Sequence, residues 1–117
     1  MSLRLRILPR AEADAQHIFD FIRERSPQGA SAWWSAFEDA AHRAIADATR
    51  FTLAPENEST DFELRQVLFR TRRGRTYRFI FTVVEDELRI LRVRGPGQPP
   101  LSLDESRQKD ERIVLFN

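Results

Sequence analysis

The stretch ELRQVLFRTRRGRTYRFIFTV, Glu63 to Val83, carries six arginines among Leu, Val, Phe, Tyr and Ile. A guanidinium is a planar, permanently charged fork of donors that matches phosphate and carboxylate geometry. Its pKa lies so far above neutral that it has no proton to give at neutral pH. Arg65, Arg70, Arg72, Arg73, Arg75 and Arg78 can therefore bind anions and stabilise negative charge, but they do not supply acid–base chemistry. Arg89, Arg92 and Arg94 extend the same series. The rest of the chain adds little proton-transfer equipment. His17 and His42 fall on helical patterns where a surface histidine is the ordinary outcome, and Tyr77, the single tyrosine, sits in an apolar strand pattern where packing is its ordinary role. Cysteine is absent, which excludes disulfides and thiol chemistry and removes the commonest zinc ligand. No His, Asp or Glu set has metal-ligand spacing, and Gly95-Pro96-Gly97 does not open a helix as a phosphate loop does. No cofactor is expected.

The charge is unevenly placed. Residues 1–62 hold seven arginines against ten acids, residues 63–98 nine arginines against four acids, and residues 99–117 three bases against four acids. The net charge of the whole is only +1. A basic block inside a nearly neutral chain points to an anionic partner. Arginine stems also lie along apolar surface with their heads in water, so a single arginine carries little weight and the group carries more. The length of 117 residues suits one domain with a core of its own. No apolar run approaches a membrane span, and MSLRLRILPR is too charged for a secretory leader. A cytoplasmic protein without membrane contact is expected.

The elements that position these arginines follow from periodicity. Leu3, Leu5 and Ile7 alternate with Arg4 and Arg6, which predicts a first strand. Pro9 suits a first helical turn, and Ala11, Ala15, Ile18, Phe19 and Ile22 then recur at helical spacing to about Arg25. Ser26-Pro27 reads as a cap and first-turn proline for a second helix over residues 28–50, with Ala30, Trp33, Phe37, Ala40 or Ala41, Ala44, Ile45 and Ala48 on its apolar face. Trp34 widens that face. TLAPENESTD, Thr52 to Asp61, is a loop. Strands follow over 63–70, 75–84 and 87–94, joined by Thr71–Gly74 and by Glu85-Asp86. The expected fold is α+β: an N-terminal strand, an antiparallel helical hairpin, then a three-stranded antiparallel meander (β-α-α-β-β-β). Residues 1–100 form the domain and 101–117 a C-terminal extension, with a helix expected after Ser102 and an apolar end at Ile113–Phe116.

Two helices cover one face of a small sheet. The other face, with Arg78, Ile80, Thr82 and Val84 on the central strand, is then expected to lie open, an apolar floor with a cationic rim. Such a surface suits an anionic polymer or an acidic amphipathic peptide.

This order of elements resembles the RelE/ParE superfamily of toxins from bacterial type II toxin–antitoxin modules, over about residues 4–98. The matching pieces are LRILPRAEADAQHIFDFI, SPQGASAWWSAFEDAAHRAI, LRQVLF, TYRFIFTV and LRILRVRG, with Tyr77-Arg78 the most typical. The resemblance implies a small toxin neutralised by a cognate antitoxin. RelE-like members cut mRNA on the ribosome; ParE-like members, linked to plasmid stabilisation, poison DNA gyrase. RelE-like cleavage uses basic residues of the sheet, where Arg65 and Arg78 fall, plus a basic residue after the last strand and often a C-terminal Tyr or His. Here that position reads Gly95-Pro96-Gly97-Gln98, and no Tyr or His follows Tyr77. The resemblance is therefore closer to ParE-like members, acting by binding rather than catalysis. Arg65, Arg70, Arg72, Arg73, Arg75, Arg78, Arg89, Arg92 and Arg94 are the expected partner-binding residues. The alternatives are a ribosome-dependent endoribonuclease and a non-toxic interaction module of the same fold; the tail also offers a homodimer contact.

Overall fold

The computed structural model describes residues 3–98, 101–103, 115 and 116. The chain runs β1 (Arg4–Ile7), α1 (Pro9–Arg23), α2 (Pro27–Ala46), β2 (Arg65–Phe69), β3 (Tyr77–Val84) and β4 (Glu87–Arg94), followed by a short pair, β5 (Ser102–Leu103) and β6 (Leu115–Phe116). The main sheet has the order β1-β4-β3-β2. β2, β3 and β4 form the expected antiparallel meander, and β1 joins β4 in parallel, Leu5 opposite Leu88 and Ile7 opposite Ile90. No helix is long and apolar enough to cross a membrane.

Local chemistry sets the helix boundaries. Pro9 opens α1, where its missing N–H costs nothing. The Ser26 hydroxyl accepts the Gly29 N–H at 2.9 Å and Pro27 follows, so α2 starts where a cap and a first-turn proline coincide. α1 stops at Arg23 rather than Arg25. α2 stops at Ala46, where Asp47 leaves helical geometry, and Ala48–Arg50 forms a separate 3-10 turn. The small residues Ala11 and Ala15 on α1, and Ala40, Ala41 and Ala44 on α2, are buried and let the helices lie close to each other and to the sheet. Between them sits an aromatic block. Trp33 stacks on Phe37 at 5.7 Å, and Phe37 meets Phe79 edge-on at 5.8 Å. Phe69, Phe79, Phe81, Leu88, Ile90 and Val93 supply the sheet side of this core. Trp34 is half-buried at its margin, edge-on to Phe19.

The opposite face of the sheet is not open over its centre. Leu64, Ile80 and Leu91 form a second buried cluster with Ala54 and Leu101, flanked by Leu8 and Phe62. The covering pieces are the 52–62 connection, which contains a 3-10 turn at Pro55–Ser59, and the start of the C-terminal extension. Backbone bonds pin the connection in place: Ala54 N–H donates to Leu64 O at 2.7 Å and Gln66 N–H to Thr52 O at 3.0 Å. The expected apolar floor exists, but the chain covers it itself. The helix expected after Ser102 falls on residues 104–114, outside the described residues; Ser102–Leu103 itself is extended and pairs with Leu115–Phe116.

Candidate functional site

Strict alternation along β4 would place Arg92 on the same face as Leu88 and Ile90, inside the aromatic core. A β-bulge prevents this. Ile80 lies opposite Arg92 and Phe81 opposite Ile90, so Leu91 is the extra residue. Beyond the bulge Val93 enters the helix-side core, while Leu91 joins the second cluster. Arg92 is thereby kept out of the apolar interior and comes to the edge of the sheet. β1 leaves that edge after Ile7, and the Leu8 N–H closes the pairing on Ile90 O at 2.9 Å. Asp14, one turn into α1, takes over from there. Its carboxylate accepts the Arg92 Nε at 2.7 Å, the Arg92 Nη2 at 3.0 Å and the Val93 N–H at 2.9 Å. A side chain thus occupies the place a strand would have held, and a nearly buried arginine is neutralised by the same group.

Arg78 on β3 faces Arg94 on β4. It forms a fork-to-fork pair with Glu56 of the covering connection, at 3.0 and 2.7 Å, and also donates to Gln66 Oε1 at 3.2 Å. The two side chains are 15% and 1% exposed. Glu56 further accepts the Leu101 N–H at 2.8 Å, so the same carboxylate ties the connection, the sheet and the C-terminal extension together. Burial alone would push the Glu56 carboxyl up. The hydrogen bonds from Arg78 and from the Leu101 amide outweigh that and hold it below the ordinary carboxylate value. Arg94, 2% exposed, completes the cluster. Its pKa is lowered first by burial and then by Arg92 and Arg78, while Asp14 and Glu56 oppose the shift.

The nine arginines expected to bind a partner therefore divide. Arg78, Arg92 and Arg94 belong to the buried charged cluster. Arg65 is folded back onto Phe51 O and Glu63, and Arg89 onto Glu87 at 2.9 Å. Arg70, Arg72, Arg73 and Arg75 are exposed at the β2–β3 connection. Of the proton-transfer candidates, burial pushes the Tyr77 phenol up despite the nearby Arg75 charge, so it stays protonated; its ring packs edge-on to Trp33 at 5.6 Å. His17 and His42 are exposed on the helices, away from the arginine cluster's strands. Sequence reasoning missed Asp14 and Glu56. Asp14 sat on a helical pattern, where a solvated acid is the ordinary outcome, and Glu56 sat in a polar loop. The available signal was the arginine excess of β3 and β4 itself, since half-buried cations demand carboxylates from somewhere.

β2 is an edge strand. Thr52–Ala54 covers its outer side as far as Gln66, and Leu53 bridges to Arg65. Past that point, among the described residues, the outer backbone groups of Leu68 meet no other strand, and the Leu68 side chain is 57% exposed.

A scan against models of known protein families finds no match to this chain, and neither do comparisons with curated proteins or with solved structures.

Proposed function

We propose that the chain is the toxin component of a type II toxin–antitoxin system, ParE-like in character. It acts in the cytoplasm by binding its target, DNA gyrase, and is neutralised by a cognate antitoxin. The observation that carries this reading is the state of the two arginines an RNA-cleaving relative would use. Arg78 is locked to a carboxylate 1% exposed, and Arg65 is bonded to Phe51 O and Glu63. Neither presents a free guanidinium to a phosphate, and the Tyr77 ring is packed against Trp33 and Phe69. Cleavage needs groups that move protons beside groups that stabilise charge. A protein whose sheet arginines are occupied in its own fold is better suited to act by contact.

The contact surface lies at the sheet margin rather than on its covered face. The open stretch of the β2 edge around Leu68 offers unpaired backbone groups and an apolar side chain, the ingredients for an added strand from a partner. Purified protein added to a gyrase supercoiling assay is expected to inhibit at stoichiometric excess. Absence of inhibition, with codon-dependent cuts in translated mRNA by primer extension, replaces this reading with the nuclease. Unimpaired growth on expression without any antitoxin leaves a non-toxic interaction module.

A further inference from the structure

Arg4, Arg6, Arg23, Arg65, Arg78, Arg89 and Arg92 each lie within 4.0 Å of a carboxylate. Arg70, Arg72, Arg73 and Arg75 do not. Among the described residues these four make no ion pair, no side-chain hydrogen bond and no ring contact, and all are exposed. Four like charges within six residues repel one another, and among the described residues no acid is brought to them.

A backbone hydrogen bond closes the turn that carries them. Gly74 N–H donates to Thr71 O at 3.2 Å, which closes a four-residue turn with Arg72 and Arg73 at its two central positions. A Cβ at residue 74 would come within 2.3 Å of Thr71 Oγ1, so any other residue there would force the threonine hydroxyl to turn aside. Arg70 and Arg75 flank the turn on the two strands' sides. The result is a two-stranded ribbon, β2–β3, whose tip carries four guanidinium forks.

Two kinds of anion compete for such a tip. An acidic peptide gains affinity from an anchor pocket or from a strand edge. Within residues 70–76 the backbone has left strand geometry and carries no apolar side chain, so a peptide would be anchored on the β2 edge at Leu68 rather than on the tip itself. A nucleic-acid backbone needs neither. It needs cations at short intervals and donors of fork geometry, and the major groove of a duplex admits a two-stranded ribbon. The nearest aromatic, Tyr77, is stacked inward on Phe69 and is not offered to a base. We propose that the Arg70–Arg75 turn grips the phosphodiester backbone of a nucleic-acid duplex without reading its sequence. This inference does not rest on the toxin reading and survives its failure.

The test is fluorescence anisotropy with short labelled DNA duplexes of two unrelated sequences, a matching RNA duplex and polyglutamate, titrated across potassium chloride. The protein is expected to bind both DNA sequences alike. For B-DNA each neutralised phosphate contributes about −0.9 to the slope of log affinity against log salt, so the slope should be about −3 to −4. The double variant Arg72→Gln/Arg73→Gln should lose about 2 of that slope and bind more weakly, with no loss of unfolding stability because both side chains are exposed and unpaired. Arg4→Gln/Arg6→Gln, at the opposite end of the sheet, should bind like the parent. RNA binding comparable to DNA assigns the site to duplex phosphates in general; DNA alone narrows it to B-form. No duplex binding at low salt, an unchanged slope in the double variant, or capture of polyglutamate with the duplexes left free each overturns the proposal.

Discussion

Arg78, Arg92 and Arg94 at one end of the sheet, and Arg70, Arg72, Arg73 and Arg75 at the tip of the neighbouring hairpin, are the same side chain put to opposite uses. The first three are enclosed with Asp14 and Glu56, and the carboxylates come from segments remote in sequence, a helix and a loop. The last four meet water. Their charge is the same, and what separates them is whether the chain brings a carboxylate to them. A cation inside the fold is tolerated only when paired and hydrogen-bonded, so the enclosed arginines specify how the connection and α1 dock. A cation at an exposed tip contributes almost nothing to folding, so it is free to serve a partner. Within one arginine-rich block, then, the structural and the available charges can be told apart by their partners.

The largest expected effect tests the enclosed half. Glu56→Ala leaves Arg78 buried beside Arg92 and Arg94 with no carboxylate of its own, and also frees the Leu101 amide. Breaking a buried pair from one side costs about 3–5 kcal/mol, and urea unfolding should show a loss of that size. Replacing both partners, Glu56→Leu with Arg78→Met, should recover much of it, since the desolvation of two charges disappears with them. If the single and the double variants are equally destabilised, Glu56 acts through Leu101 rather than through Arg78. The same carboxyl sets an acid limit. Its folded-state pKa lies below the unfolded value of about 4.3, so its stabilisation is full above that value and is lost as pH falls through the lower folded value. The parent should therefore lose more stability than Glu56→Gln on acidification below about pH 4.

Asp14→Ala comes next in size. It removes a bidentate partner from Arg92 and the acceptor of Val93 N–H, at a site less enclosed than Glu56. Hydrogen bonds to charged groups are worth about 1.5–3 kcal/mol each in mutational series, and partial solvent access trims that. A loss of about 2 kcal/mol is expected. Hydrogen exchange should locate it, with the Val93 amide losing protection before those of the β3–β4 centre. Equal loss across the sheet would mean that Asp14 does not stand in for the missing strand.

The architecture around this comparison was written in short-range signals. Leu3, Leu5 and Ile7 alternate, Ser26-Pro27 caps, and Trp33, Phe37, Ala40 and Ala44 keep a helical period, so both helices and the meander are legible. The partners of the arginines were not. Asp14 meets Arg92 across 78 positions and Glu56 meets Arg78 across 22, and no local pattern encodes such a meeting. The bulge at Leu91 hid a second fact, since period-2 counting fails once an extra residue enters a strand. The cover over the second face was masked by composition. Pro55, Asn57, Ser59 and Thr60 mark a turn-rich connection, yet Ala54 and Phe62 at its ends are the residues that dock it, with Leu64 beneath.

The smallest expected effect tests the exposed half. Arg70→Ala, Arg72→Ala, Arg73→Ala and Arg75→Ala should each change unfolding stability by no more than about 0.5 kcal/mol, as surface substitutions away from caps and pairs do. Combining Arg72→Ala with Arg73→Ala should even stabilise slightly at low ionic strength, because like charges at the turn repel, and added salt should erase the gain by screening. A loss comparable to that of Asp14→Ala would mean the turn arginines are structural after all. The contrast between enclosed and exposed arginines would then collapse, and the exposed tip would lose its claim to be held ready for an anion.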